Sequence, residues 1–397
     1  MALPHYRGSS THVYEVARSL TQLGHEVHVI ARRVSGAEPG EERIDGIMIH
    51  RYQRGMFFSS PRSSFVDVES RGSYQGTTPT LVWRSYEIYL RTIFPLFIAV
   101  QVMRVVRKHS IDVVLERETS FGGGAIASAL TDRPLVLEVI GNRVTNLQVA
   151  RSSKIVTYSE TMFRELADAS KVEKVTAAVD TERFKPDAGA GQAVRNEYSL
   201  GNAPVVGYVG TFQEWHGLDE LVEAASQVLR IVPGVKFLMV GPYYAETQRM
   251  ADSAGLSNSF VFTGPVEYSR VPAFMNACDV LVAPYNPRRI RSTEQVRQHG
   301  LGSPLKVFEY MSSGKPVITT RVRPICDPVT DSVTGILVEP GNPEELAHAV
   351  VRVLQNKADA SRMGASARAS VIESYSWNNV AKSLVHILEA AVDQRSA

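Results

Sequence analysis

The 397-residue chain is long enough for two domains, each with its own core, since domains usually run to about 100–200 residues. Its 44% hydrophobic and 21% charged content suits a soluble globular protein, and a formal net charge of +2 supplies no argument for bulk nucleic-acid binding. Cys278 and Cys326 lack zinc-type spacing, Met1 to Gly8 lacks the apolar core of a signal peptide, and no later apolar run is long enough to span a bilayer. The expectation is a cytoplasmic protein with no metal site and no nucleic-acid partner.

In chain order, Val13, Val16, Ala17, Leu20 and Leu23 fall at helical spacing over Thr11 to Gly24, where glycine stops the helix before a strand at Glu26 to Ile30. The segment Tyr86 to Lys108 is apolar and aromatic, is interrupted by Pro95, and ends in Arg104, Arg107 and Lys108. It reads as a helix buried against the first sheet, with a position on a membrane surface as the alternative. Strands follow at Ile111 to Leu115 and Pro134 to Val139, separated by a helix at Gly122 to Leu130. Such alternation predicts a parallel, doubly wound sheet.

From Thr181 to Ala203 the pattern lapses into Gly, Ala, Pro and charge. This places a linker at 184–203, between an N-terminal domain at 1–183 and a C-terminal domain at 204–377, with a closing helix at 378–397 expected to pack back toward the N-terminal domain. In the second half, strands are expected at Val205 to Gly210, Lys236 to Val240, Val261 to Thr263, Val280 to Ala283, Pro316 to Thr319 and Gly335 to Val338. Two α/β halves of similar size imply a cleft that the carboxyl ends of the strands border.

The run from Ser303 to Pro316 carries the strongest chemical signal. Ser303 suits a helix N-cap, Pro304 the first helical position, and Gly314 with Pro316 the stop. Lys306 breaks the rule, because a lysine in the first turn opposes the helix dipole by about 0.3–1 kcal/mol. A bound diphosphate reverses that penalty, since free amides and an ammonium at a helix start receive an anion. Glu309 stands three residues on, on roughly the same face, and an ionised carboxylate suits the paired hydroxyls of a ribose. The competing reading is an exposed Lys–Glu surface pair. A second cluster, Gly210 to Gly217, joins a strand to the helix Leu218 to Leu229 and holds His216, which is either a donor to a phosphate or leaving-group oxygen or a plain structural histidine.

These pieces in order resemble glycosyltransferase family 4, whose members are retaining enzymes of the GT-B fold. The resemblance runs through Gly210 to Gly217, Gly241-Pro242, Val261 to Val266, Ala277 to Pro284, Ser303 to Val317 and Gly335 to Asn342. It implies two doubly wound Rossmann-like domains facing a cleft. It also implies that Glu309 holds the donor ribose, that amides near Leu305 and Lys306 meet the diphosphate, and that Phe262 and Thr263 border the base. Gly210, Thr211, Ser303 and Pro304 complete the expected donor site, with His216 and Lys306 as the catalytic candidates. Two departures stand out: the family's first motif glutamate falls at Leu301, and the arginine and lysine expected after Gly210 are replaced by Thr211 and His216.

The N-terminal likeness is looser. Gly8 and Ser9 match the acceptor-side loop, and Asn142, beside Ile140, is the nearest polar substitute for a family histidine or asparagine. Before that loop Met1 to Pro4 is too short to cross a sheet, so an upstream strand and a gap in the first sheet's centre are expected.

The function that follows is retaining transfer of a hexose-like residue from a nucleoside diphosphate sugar to a glycan, a lipid-linked sugar or a small molecule. No cofactor or obligatory metal is expected, and the protein would work in the cytoplasm or at the inner face of the plasma membrane, in peripheral contact with it. Its rivals are a non-catalytic GT-B module that binds nucleotide or a partner, and an epimerase of nucleotide sugars on the same fold. A dehydrogenase is disfavoured, since no G-x-G-x-x-G follows an early strand.

Overall fold

The structure is a computed structural model that describes residues 8–32, 40–52, 80–117, 122–139, 144–157, 169–175, 178–242, 244–289 and 305–396. In the N-terminal half the order is α1 (Gly8–Gln22), β1 (His28–Arg32), β2 (Gly40–Ile44), β3 (Ile47–Tyr52), α2 (Thr80–His109), β4 (Val114–Arg117), α3 (Gly123–Thr131), β5 (Leu135–Val139), α4 (Asn146–Arg151), β6 (Lys154–Thr157) and β7 (Val172–Lys174). The C-terminal half follows as α5 (Ala188–Glu197), β8 (Val205–Val209), α6 (Leu218–Ile231), β9 (Lys236–Val240), α7 (Ala245–Ser253), β10 (Phe260–Gly264), α8 (Val271–Asn276) and β11 (Val280–Ala283). It closes with α9 (Leu305–Ser312), β12 (Val317–Thr320), β13 (Ile336–Val338), α10 (Pro343–Gln355), α11 (Lys357–Ser374) and α12 (Trp377–Ser396).

The second half is one parallel six-stranded sheet in the order β10-β9-β8-β11-β12-β13. Its strands read as unbroken apolar runs because helices cover both faces, and β8, β9 and β11 are almost wholly buried. The order reverses between β8 and β11, which is where open α/β sheets bind ligands.

The first half is not a single ladder. The described strands form a parallel sheet β4-β5-β6-β7 and a separate sheet β1-β3-β2, in which β2 runs antiparallel to β3. The antiparallel strand corrects the expectation of a wholly parallel arrangement. Between β1 and β4 lies a cavity of about 900 Å³, lined by Val29, Leu115, Val16, Leu20, Ile98 and Val105 among others.

Residues 184–203, expected as a linker, instead carry α5. Asp187 caps it by accepting from the Ala190 N–H at 2.9 Å, and Arg195 fastens it to the Ala277 carbonyl at 2.9 Å and to Asp279 at 2.8 Å. Helix α12 lies against the first half, where Trp377, Val380 and Leu384 join Val16, Leu20, Val136 and Val156 in one core. Helix α2 buries Phe94, Ile98, Ala99, Val105 and Val106, as the buried-helix reading requires, yet Ile93, Leu96 and Val100 remain exposed on its other face. No helix among the described residues is long and apolar enough to cross a membrane.

Candidate active site

At the reversal point three elements converge: the end of β8, the end of β11 and the start of α9. The chain leaves β8 through Gly210, where a Cβ would stand 2.7 Å from Lys306 Cε. The absence of a side chain therefore lets the lysine lie against the backbone. A short 3-10 turn, Glu214–His216, then ends at Gly217, whose φ of +63° and approach to the Pro284 carbonyl, 1.8 Å from a hypothetical Cβ, admit only glycine. Tyr310 locks α9 to β8: its hydroxyl donates to the Val209 carbonyl at 2.9 Å and accepts from the Val209 N–H at 2.7 Å.

Lys306 and Glu309 are partly buried at the head of α9, so the exposed surface-pair reading does not hold. Lys306 Nζ donates to the Tyr208 hydroxyl at 2.8 Å and sits 4.4 Å from the Tyr208 ring centroid and 5.1 Å from that of Tyr285. Loss of hydration pulls the ammonium down from 10.5 to about 7, against the attraction of Glu309. Desolvation pushes the Glu309 carboxyl up to about 7, although the Tyr268 hydroxyl donates to it at 3.1 Å and Lys306 and Arg183 favour its charge. Each group is poised to change charge near neutrality when a polar ligand arrives.

His216 is buried, with its ring edge-on to Tyr285. Its Nδ1 lies 2.6 Å from the Thr211 carbonyl and 2.8 Å from the Tyr208 hydroxyl, whose own proton goes to the same carbonyl. A carbonyl only accepts, so this short contact outweighs the long 3.5 Å approach of the Gln213 N–H to the same nitrogen and assigns the proton of the neutral ring to Nδ1, leaving a lone pair on Nε2. Burial, and secondarily Lys306, hold the imidazole well below its ordinary range. Donation from Nε2 therefore requires uptake of a proton, which an adjacent diphosphate would favour.

Beside this cluster Phe262 of β10 joins Phe212 and Tyr244 in an aromatic group, with centroids 6.4 Å and 5.4 Å from Phe262. Thr263 directs its hydroxyl to the Gly264 carbonyl at 2.8 Å. Of the expected residues, Gly210, Thr211, His216, Lys306 and Glu309 are brought together, and Leu305 packs in the adjoining core. Ser303, Pro304, Asn142, Ile140 and Leu301 lie outside the described residues. Gly8 and Ser9, expected as a loop, form the first turn of α1 instead. Four tyrosines, Tyr208, Tyr268, Tyr285 and Tyr310, escaped the sequence reading. The available signal was a hydroxyl inside or beside segments taken as apolar.

The family model described as Glycosyltransferase Family 4 matches residues 6–183, and that described as Glycosyl transferases group 1 matches residues 203–356. The chain belongs to glycosyltransferase family 4. It is a glycosyltransferase, and a GDP-mannose-dependent alpha-(1-6)-phosphatidylinositol monomannoside mannosyltransferase of Mycobacterium tuberculosis is 28% identical over 73% of this chain and 78% of its own length. The fold is GT-B. Anabaena HepE, solved with UDP and glucose, superposes with a TM-score of 0.69 over 97% of each chain at 18% identity. A sucrose-phosphate synthase from Thermosynechococcus elongatus gives 0.71 over 98% of this chain and 94% of its own at 19% identity.

Proposed function

We propose that this glycosyltransferase moves a hexosyl residue from a nucleoside diphosphate sugar to a hydroxyl of a glycan or lipid-linked acceptor, with retention at the anomeric carbon. The observation that carries the reading is the convergence of Lys306, Tyr208 and His216 at the sheet's reversal point, with Glu309 one turn along α9. The diphosphate lies at the head of α9, where Lys306 gains full charge on contact with it, and Glu309 accepts from the ribose hydroxyls. The aromatic group around Phe262 flanks the base. The bond from the anomeric carbon to the diphosphate oxygen breaks, and the acceptor oxygen bonds to the same face. The acceptor's proton passes to the departing phosphate. Lys306, protonated His216 and nearby amides stabilise the charge that develops on that leaving group, so no obligatory metal is required.

The nucleotide in the Anabaena structure and the donor and lipid-type acceptor in the mycobacterial enzyme's name support a nucleotide-sugar donor and an acceptor at a membrane. So does α2, whose exposed Ile93, Leu96 and Val100 continue along one face into exposed Arg104 and Arg107. The enzyme then works at the cytoplasmic face of a membrane. The test is incubation with a panel of nucleotide sugars, with and without membrane lipids, while nucleoside diphosphate release and product mass are followed. Slow release of nucleotide without acceptor, accelerated by an acceptor, is expected. Binding without any release would favour a non-catalytic module, a change of the sugar's configuration would favour an epimerase, and no binding at all would remove the donor-site assignment.

A further inference from the structure

In the N-terminal half, three histidines from three elements meet. His28 opens β1, His50 lies on β3 and His109 ends α2. One ring nitrogen of each lies within 4.8 Å of the others. The His28 and His50 rings stack with centroids 5.1 Å apart, and His109 lies 4.3 Å from His28. The side chains of His28 and His50 are 3% and 11% exposed, so the cluster is not a solvated surface accident.

The hydrogen bonds decide which nitrogens face inward. His28 Nε2 is held by Glu26 at 2.8 Å, which turns its Nδ1 toward His50 Nε2, also at 2.8 Å. The other His50 nitrogen, Nδ1, lies 3.4 Å from Glu41, itself paired with Lys108. His109 Nε2 is buried and has no hydrogen-bond partner. Two imidazoles thus have carboxylates on their outer nitrogens and point their inner ones at a common space, while the third brings an unpaired nitrogen. One proton is shared between His28 Nδ1 and His50 Nε2 and is released when a cation takes its place. Carboxylate-backed imidazoles whose inner nitrogens then converge are the arrangement of transition-metal ligands, in which the carboxylate fixes ring orientation and raises basicity.

We propose that His28 Nδ1, His50 Nε2 and His109 Nε2 bind a divalent transition metal of the zinc class, with water in the fourth position. A tetrahedral ion with bonds of about 2.0–2.1 Å needs ligand atoms roughly 3.3 Å apart, so binding spreads the closest pair slightly and draws the widest inward. Because β1 begins at His28, the ion sits at the amino ends of the strands, away from their carboxyl ends, where open sheets hold substrate. Its role is to tie β1, β3 and the end of α2 together, and it takes no part in sugar transfer.

The experiment uses the full chain freed of metal by chelation. Titration with zinc should show one strong site by calorimetry, cobalt should give the visible bands of a tetrahedral site with nitrogen ligands, and zinc should raise the melting temperature. His50→Gln and His109→Gln, each checked for folding by circular dichroism, should weaken zinc by more than about tenfold, the loss that even removal of an outer-shell partner causes. Nucleotide binding by the metal-free protein should be unchanged. An intact chain that binds no zinc stoichiometrically, or one whose single site is unaffected in both folded variants, overturns the proposal.

Discussion

Lys306→Gln keeps the length and polarity of the side chain but removes the charge that lies against Gly210 and Tyr208. A hydrogen bond to a charged group contributes about 1.5–3 kcal/mol, so the variant should bind a nucleoside diphosphate roughly 10- to 150-fold more weakly by calorimetry. The ligand-free protein should melt at the same temperature or slightly higher. The reason is the direction of the shift: the folded protein holds Lys306 near about 7 against 10.5 for a free lysine. Between those values the unfolded chain binds the extra proton, so stability rises with pH across that window, and below it the cost of a buried charge is constant. The variant should lose that rise. Wild-type affinity for the diphosphate should fall as pH increases through about 7, where the free lysine loses its proton, and the variant, facing the same ligand ionisation, should give a flatter profile. Loss of apo stability with affinity retained would show that the lysine is a packing element, and the anion-site argument would fail.

Three further outcomes are expected. Glu309→Ala should weaken nucleoside diphosphates by a similar roughly 10- to 150-fold while leaving inorganic diphosphate almost unchanged, since the carboxylate is assigned to ribose; equal losses for both ligands would contradict that role. Gly217→Ala forces a side chain into the left-handed region and onto the Pro284 carbonyl, so chemical denaturation should show at least about 1–2 kcal/mol of lost stability together with loss of turnover. Replacing Ile93, Leu96 and Val100 together by serine removes three exposed apolar side chains, each contributing about 1 kcal/mol or more when buried. Sedimentation with anionic vesicles should then fall roughly tenfold or more, with hydrolysis of soluble donor unaffected.

How far each feature could be read from the sequence depended on whether it was local. Lys306 was visible because it violates a local rule, a positive charge in a first helical turn, and the structure supplies the surrounding tyrosines that make the violation tolerable. The parallel strands of the second half were visible because strands buried on both faces read as unbroken apolar runs. Helix α5 was missed because Ala, Gly and charge give it little apolar periodicity; it is fixed by its Asp187 cap and by Arg195, whose bonds to Ala277 and Asp279 reach more than eighty residues along the chain. The β2–β3 hairpin had a local signal that was passed over. Asp45 and Gly46 both take positive φ, as a two-residue hairpin turn demands, and Ile47, Ile49 and Arg51 alternate with partly exposed residues along β3.

The tyrosines and histidines were hidden for a different reason. Tyr208 sits in a strand whose every residue is buried, so by pattern it is one more large core side chain. Only the fold shows that its hydroxyl emerges between Lys306, about a hundred residues later, and His216, just beyond the strand's end. That placement changes the chemistry read from the motifs. A lysine and a histidine that seemed independent phosphate ligands share one phenol, so the charge state of either affects the other. His28, His50 and His109 likewise carry no motif spacing, and what brings them together is the parallel pairing of β1 with β3 under the end of α2. The donor-site chemistry was legible where local rules were broken. The coupling within that site, and the histidine cluster, exist only through pairings between distant segments.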